Sequence, residues 1–148
     1  MSNGEIIAEL HRIAAKHDGI LEPADVVDAA RSESSPLHSK FEWDDSVAAE
    51  KYRLYQARQL LIVTVDYIGT GKKATLQRVF VSLTTDRQQE GGGYRAMTTI
   101  LADKSCRAQL LEDAFEEMRL FREKYAQLKE LTEVFEAMRK VRRNIAVR

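Results

Sequence analysis

Cys106, three histidines and one knot of carboxylates are the residues of this 148-residue chain whose types could do chemistry. A nucleophilic cysteine needs a base and a third group that orients the base. Cys106 falls near the start of a helical segment, where the helix dipole would lower its pKa, and His38 is the candidate base. No orienting group can be named for that pair, so a catalytic cysteine, and a hydrolase built on it, is not expected. His11 and His17 stand six apart on one helix and so on different faces, and Cys106 has no second thiol. No ligand set with metal spacing arises, and neither a metal nor a cofactor is expected. Glu42, Asp44 and Asp45 cluster, but Asp44, Asp45 or Ser46 stands where the following helix needs an N-cap. Capping is the expectation there, rather than a divalent cation.

Two glycine-rich segments fail as phosphate cradles. A phosphate-binding loop needs Gly, four residues, Gly-Lys and then Ser or Thr; around GTGKK the outer positions hold Asp66 and Lys73. A hairpin turn is expected instead. Gly91-Gly92-Gly93 lacks the strand-then-helix setting of dinucleotide binding. The first two helices could form a helix-turn-helix, but the second carries Glu22, Asp25 and Asp28 against Arg31. Those acids repel phosphates, and no cluster of Arg, Asn or Gln is present to read bases.

Two segments point instead to binding. The tail RKVRRNIAVR holds Arg139, Lys140, Arg142, Arg143 and Arg148 with no acid, more cation than a helix C-terminus requires. Together with Lys72 and Lys73 at the hairpin tip these are candidate phosphate contacts, helped by Arg53, Arg58 and Arg78. Interleaved aromatics are lacking, so stacking on single strands is not indicated. The loop SSPLHSKFEWDD carries Phe41 and the single Trp43, either as a plug across helix ends or as an exposed aromatic anchor for a protein partner.

These residues must be positioned by elements legible in the periodicity. Ile6, Leu10, Ile13 and Ala14 make one stripe of a helix over 5–17, ended by Asp18-Gly19. Pro23 opens a second short helix with Val26, Val27 and Ala30 inward. A loop spans 32–45, and a third helix covers about 46–59. From Leu60 the pattern becomes β-branched: LLIVTVDYI and TLQRVFVSL predict two strands around the turn at 69–73. The run TTDRQQE and the three glycines read as a connection, followed by a short helix near 95–101 and a cap at Asp103. From 104 to about 143 no Gly or Pro interrupts a seam of Leu111, Ala114, Met118, Phe121, Tyr125, Leu128, Leu131, Phe135, Met138, Val141 and Ile145. The steps of three and four predict one long heptad-like helix. At ~1.5 Å per residue it would reach about 60 Å, so its seam must fold back or meet another chain. Met118, Phe121, Tyr125, Leu128, Phe135 and Met138 are the candidate oligomer seam.

The expected fold class is thus α+β, mainly α: short N-terminal helices, a small antiparallel β-hairpin and a long C-terminal amphipathic helix. The domain boundary is expected near 103/104, with 1–103 as the helical and hairpin domain and 104–148 as the long helix with its basic tail. Lys plus Arg and Asp plus Glu both count 23, which argues against a basic nucleic-acid coat and against an acidic DNA mimic. The balance conceals an asymmetry: residues 1–50 hold eleven acids and four bases, residues 51–148 twelve acids and nineteen bases. Local fields of that kind steer partners even at zero net charge. No apolar run reaches the ~18 residues of a membrane helix, the start of the chain has no signal-peptide pattern, and the lone thiol suits a reducing compartment. A cytoplasmic location without membrane contact is expected.

The segment LEPADVVDAARSESSPLHSKFEWDDSVAAEKYRLYQARQLL, above all its SPLHSKFEWDD loop, resembles small uncharacterised proteins of tailed phages and prophages. The order of hairpin and long helix is similar too. The resemblance implies a phage origin and, for a phage-encoded protein, the host cytoplasm; no catalytic residue comes with it. The expectation is a non-enzymatic homo-oligomer whose basic half and tail contact nucleic acid non-specifically. The alternative is a protein-interaction module, either a virion assembly component or an adaptor or inhibitor of a host or phage protein.

Overall fold

Four apolar residues at one helical stripe open the fold. α1 (Asn3–Lys16) buries Ile6, Leu10, Ile13 and Ala14, as the spacing predicts. The structure, a computed structural model, describes residues 3–44 and 46–146. The chain divides into two compact units, one running to Arg107 and the other from Ala108. The fold is α+β and mainly helical, with short N-terminal helices, a small antiparallel hairpin and an amphipathic C-terminal helix.

In the first unit α1 turns through Asp18 and Gly19, both at positive φ, into the two-residue strand β1 (Ile20–Leu21). α2 (Pro23–Ala30) follows with Pro in its first turn and Val26, Val27 and Ala30 buried. Ser46 caps α3 (Val47–Val63), its hydroxyl accepting from the Ala49 N–H at 3.1 Å. Helix α3 corrects the strand expected from Leu60. Arg53, Ala57 and Leu61 are its buried residues, spaced four apart, and burying Leu61 on that line holds Leu60 to Val63 helical against their β propensity. The helix stops at Thr64, whose N–H and hydroxyl both reach the Leu60 carbonyl.

The expected hairpin is present but shorter. β2 (Val65–Ile68) pairs with β3 (Thr75–Arg78), setting Val65 opposite Arg78 and Tyr67 opposite Leu76. The returning strand was expected to run through Leu83; instead Val79 breaks it, donating to Thr64 and accepting from Met97. β4 (Phe80–Val81) then joins a second sheet in the order β1-β5-β4, where β5 is Tyr94–Ala96 and both pairings are antiparallel. Between β4 and β5 the run read as a connection contains the single turn α4 (Thr84–Arg87). A part-buried ion pair ties it to the sheet: Asp86 accepts two bonds of 2.8 Å from Arg95. Gly93 lets the strands approach, since a Cβ there would lie 2.7 Å from Ile20 Cγ2.

α5 (Met97–Ala102) ends at Asp103, whose carboxylate accepts from the Cys106 N–H at 2.7 Å and starts α6 (Lys104–Tyr125). The single helix expected from 104 to about 143 is two. The chain leaves helical geometry at Leu128 (φ −82°, ψ 96°), makes a 3₁₀ turn over Lys129–Leu131 and resumes as α7 (Thr132–Ala146). No Gly or Pro marks the break. One straight helix would leave its entire apolar seam without a partner, whereas the bend sets the Phe121 ring against Phe135, 6.2 Å between centroids.

Candidate nucleic-acid interface

The second unit is a hairpin of α6 and α7, and the candidate phosphate contacts on α7 gather at one groove. Arg139, Lys140, Arg142 and Arg143 line a groove of about 990 Å³, floored by Phe115, Met118 and Met138 and bordered on α6 by Glu112, Arg119 and Arg122. Arg142 serves the hairpin itself: its guanidinium lies 4.6 Å from the centre of the Phe115 ring and 2.9 Å from the Glu112 carboxylate. Arg119 is likewise taken up by Glu116 and Glu123, which raise its pKa. Among the described residues Arg122, Arg139, Lys140 and Arg143 have no ion-pair partner. Arg148 lies outside the described residues, as does Asp45 of the carboxylate cluster.

Lys72 and Lys73 belong to the first unit, exposed in the 3₁₀ turn Gly71–Lys73 at the tip of β2 and β3. Of the three arginines expected to help, Arg53 is excluded from any phosphate contact because its side chain is 2% exposed. It donates to the Glu42 carbonyl, to the Asp44 carbonyl at 2.8 Å and to the Glu50 carboxylate at 2.8 Å.

That guanidinium holds the aromatic loop in place. It lies 5.1 Å from the Trp43 ring centre, His38 stacks on the same indole at 5.0 Å, and the Trp43 indole N–H donates to the His38 carbonyl at 3.0 Å. Phe41 is buried and joins the core with Leu37. The loop is therefore the plug of the two alternatives, and Phe41 is not presented to a partner. Trp43 is half-buried.

The seam residues divide between the two helices. Phe135 is buried with Phe115, Met118, Tyr125 and Met138 are half-buried, and Phe121 and Leu128 are exposed. Sequence reasoning missed exposed apolar side chains on the first unit. Tyr52 and Tyr55 stack at 6.2 Å on the exposed side of α3, and Tyr67 and Leu76, cross-strand partners, are both well exposed. The helical spacing of the tyrosines was visible, but the extension of α3 past Gln59 was not.

Cys106 and His38 each have other partners. Burial and the Asp103 carboxylate push the Cys106 thiol up, against the lowering expected from the helix dipole. His38 is engaged elsewhere, its Nδ1 donating to the Ala30 carbonyl at 2.9 Å. Among the described residues no three of His, Cys, Asp and Glu converge as metal ligands, and no helix is long and apolar enough to cross a membrane. No protein-family model, curated protein or solved structure matches the chain.

Proposed function

We propose that the chain is a non-enzymatic, oligomeric phage protein of the host cytoplasm that contacts nucleic acid non-specifically through the groove side of its C-terminal hairpin. One observation carries the reading: Arg122, Arg139, Lys140 and Arg143 border a single groove and have no ion-pair partner among the described residues. Cations already bound to carboxylates contribute little to phosphate binding, so these four are the ones whose contact releases counterions. Contacts of these cations to phosphate oxygens fix position on a duplex without carrying sequence information.

Fluorescence anisotropy with random duplex DNA over a salt series tests this. Four contacts predict a log–log salt slope of roughly −3 to −4 per chain, and Arg122→Gln, Arg139→Gln and Arg143→Gln together should flatten it by about 3. A missing salt dependence, or an unchanged slope in the triple variant, rejects the reading. The second reading, a protein-interaction module, is favoured by the exposed Tyr52 and Tyr55 of α3 and the exposed Tyr67 and Leu76 of the hairpin, side chains of the kind that anchor interfaces.

A further inference from the structure

The hairpin of α6 and α7 turns one apolar stripe of each helix to the same side. Its levels are fixed by three contacts: Arg142 meets Glu112 and Phe115, and Phe121 meets Phe135. At about 100° per residue, Phe115 and Phe135 mark the line between the helices. Met118, Phe121 and Tyr125 then fall to one side of it on α6, and Val134, Met138, Val141 and Ile145 to the matching side on α7. In an antiparallel pair these are one face. Phe121, Val134, Val141 and Ile145 there remain 38–47% exposed, and no charged residue interrupts them. Glu112, Glu116, Arg119 and Glu123, paired within the hairpin, lie on the opposite side by the same geometry. The outer borders of the apolar face carry Lys124 on α6 and Glu133 on α7, neither with an ion-pair partner among the described residues.

We propose that a second copy of this chain covers the face, related by a two-fold axis parallel to the helices, so that α6 of each copy lies on α7 of the other in a four-helix bundle. The border charges argue for this occupant. With the turns of both hairpins at one end, Lys124 stands level with Glu133 of the second copy. The pair is of opposite sign and occurs twice by symmetry, the arrangement that border charges take in helical bundles. An uncharged face offers nothing to a phosphate backbone. The inference deepens the oligomeric half of the function proposed above and is independent of nucleic-acid contact, so that each fails by itself.

Sedimentation equilibrium of the full chain, with circular dichroism to follow helicity, tests it. The wild-type chain should be a dimer at micromolar concentration, and Val141→Asp should weaken association at least about 100-fold. Lys124→Glu should weaken it about tenfold, and Lys124→Glu with Glu133→Lys should restore it, since the pair is present twice. A monomeric wild-type chain, or a dimer indifferent to Val141→Asp, overturns the proposal. A double charge variant no stronger than Lys124→Glu alone overturns the two-fold arrangement, whatever Val141→Asp does to folding. DNA binding in the same samples is read separately: its loss with the dimer intact rejects the phosphate contacts and leaves the bundle standing.

Discussion

The unit ending at Arg107 and the hairpin that follows solve the burial problem in opposite ways. The first encloses a contiguous core from α1, α2, α3 and the three-stranded sheet, with Leu10, Leu21, Leu37, Leu61 and Phe80 fully buried. Its buried polar groups are matched internally, Arg53 by carbonyls and Asp86 by Arg95, and among the described residues no buried side-chain nitrogen or oxygen lacks a partner. The hairpin buries only Phe115 and Phe135 among its described residues and leaves a face of large apolar side chains and a set of unpaired charges outside. Stability is concentrated in the first unit, and unused binding capacity in the second.

Substitution in the two cores separates them most sharply. Phe80→Ala should cost the first unit about 3–5 kcal/mol, visible in urea denaturation and independent of chain concentration. Phe135→Ala should leave that transition in place and lower the concentration-dependent signal of association instead. Equal effects of both on one concentration-independent transition would erase the distinction.

Arg53 gives the next largest effect. Arg53→Met removes the hydrogen bonds to the Glu42 and Asp44 carbonyls and the Glu50 carboxylate from a buried position, which should cost roughly 2–4 kcal/mol and release the loop to protease. Arg53→Lys should recover little, because an ammonium cannot fork to the same acceptors. Full recovery by lysine would mean that charge, not the fork, holds the plug.

The smallest effect lies where α6 begins. Hydrogen bonds from the Cys106 N–H and thiol hold the Asp103 carboxyl below its ordinary value of 3.8. A carboxyl lowered in the folded state contributes its stability fully above the ordinary value and loses it as pH falls through the lowered one. Helicity at the start of α6 should therefore decline below about pH 4. Asp103→Asn keeps the acceptor and loses the titration, so its circular dichroism between pH 6 and 2 should lack that component. Identical profiles would assign the acid response to other carboxylates.

How far the sequence carries can be judged element by element. The buried stripes of α1 and α2, the Ser46 cap and the Asp103 cap are all readable, because each rests on local spacing or local side-chain chemistry. Strands β1 and β5 are not, since two or three residues are too few to display alternation. The helical state of Leu60 to Val63 depends on what Leu61 packs against, and the turn at Leu128 on a partner ring at Phe135; neither is encoded nearby. For the candidate interface, the cations were legible by type. Which of them are already consumed was not, because Arg142 finds Glu112 thirty residues away in the chain.

The antiparallel pairing of Ile20 with Arg95 has a kinetic meaning. Closing β1 onto β5 joins residues 75 positions apart, a far longer loop than the hairpin of β2 and β3 or the turn between α6 and α7 requires. Long closures are slow, so local elements form first and this sheet last. During synthesis α1, α2 and α3 leave the ribosome with Leu21 still lacking the strand that covers it, and no order of local events can shorten that interval. The first unit is thus the more stable part once made and the later to be completed, exposed to misassociation until Tyr94 to Ala96 have emerged.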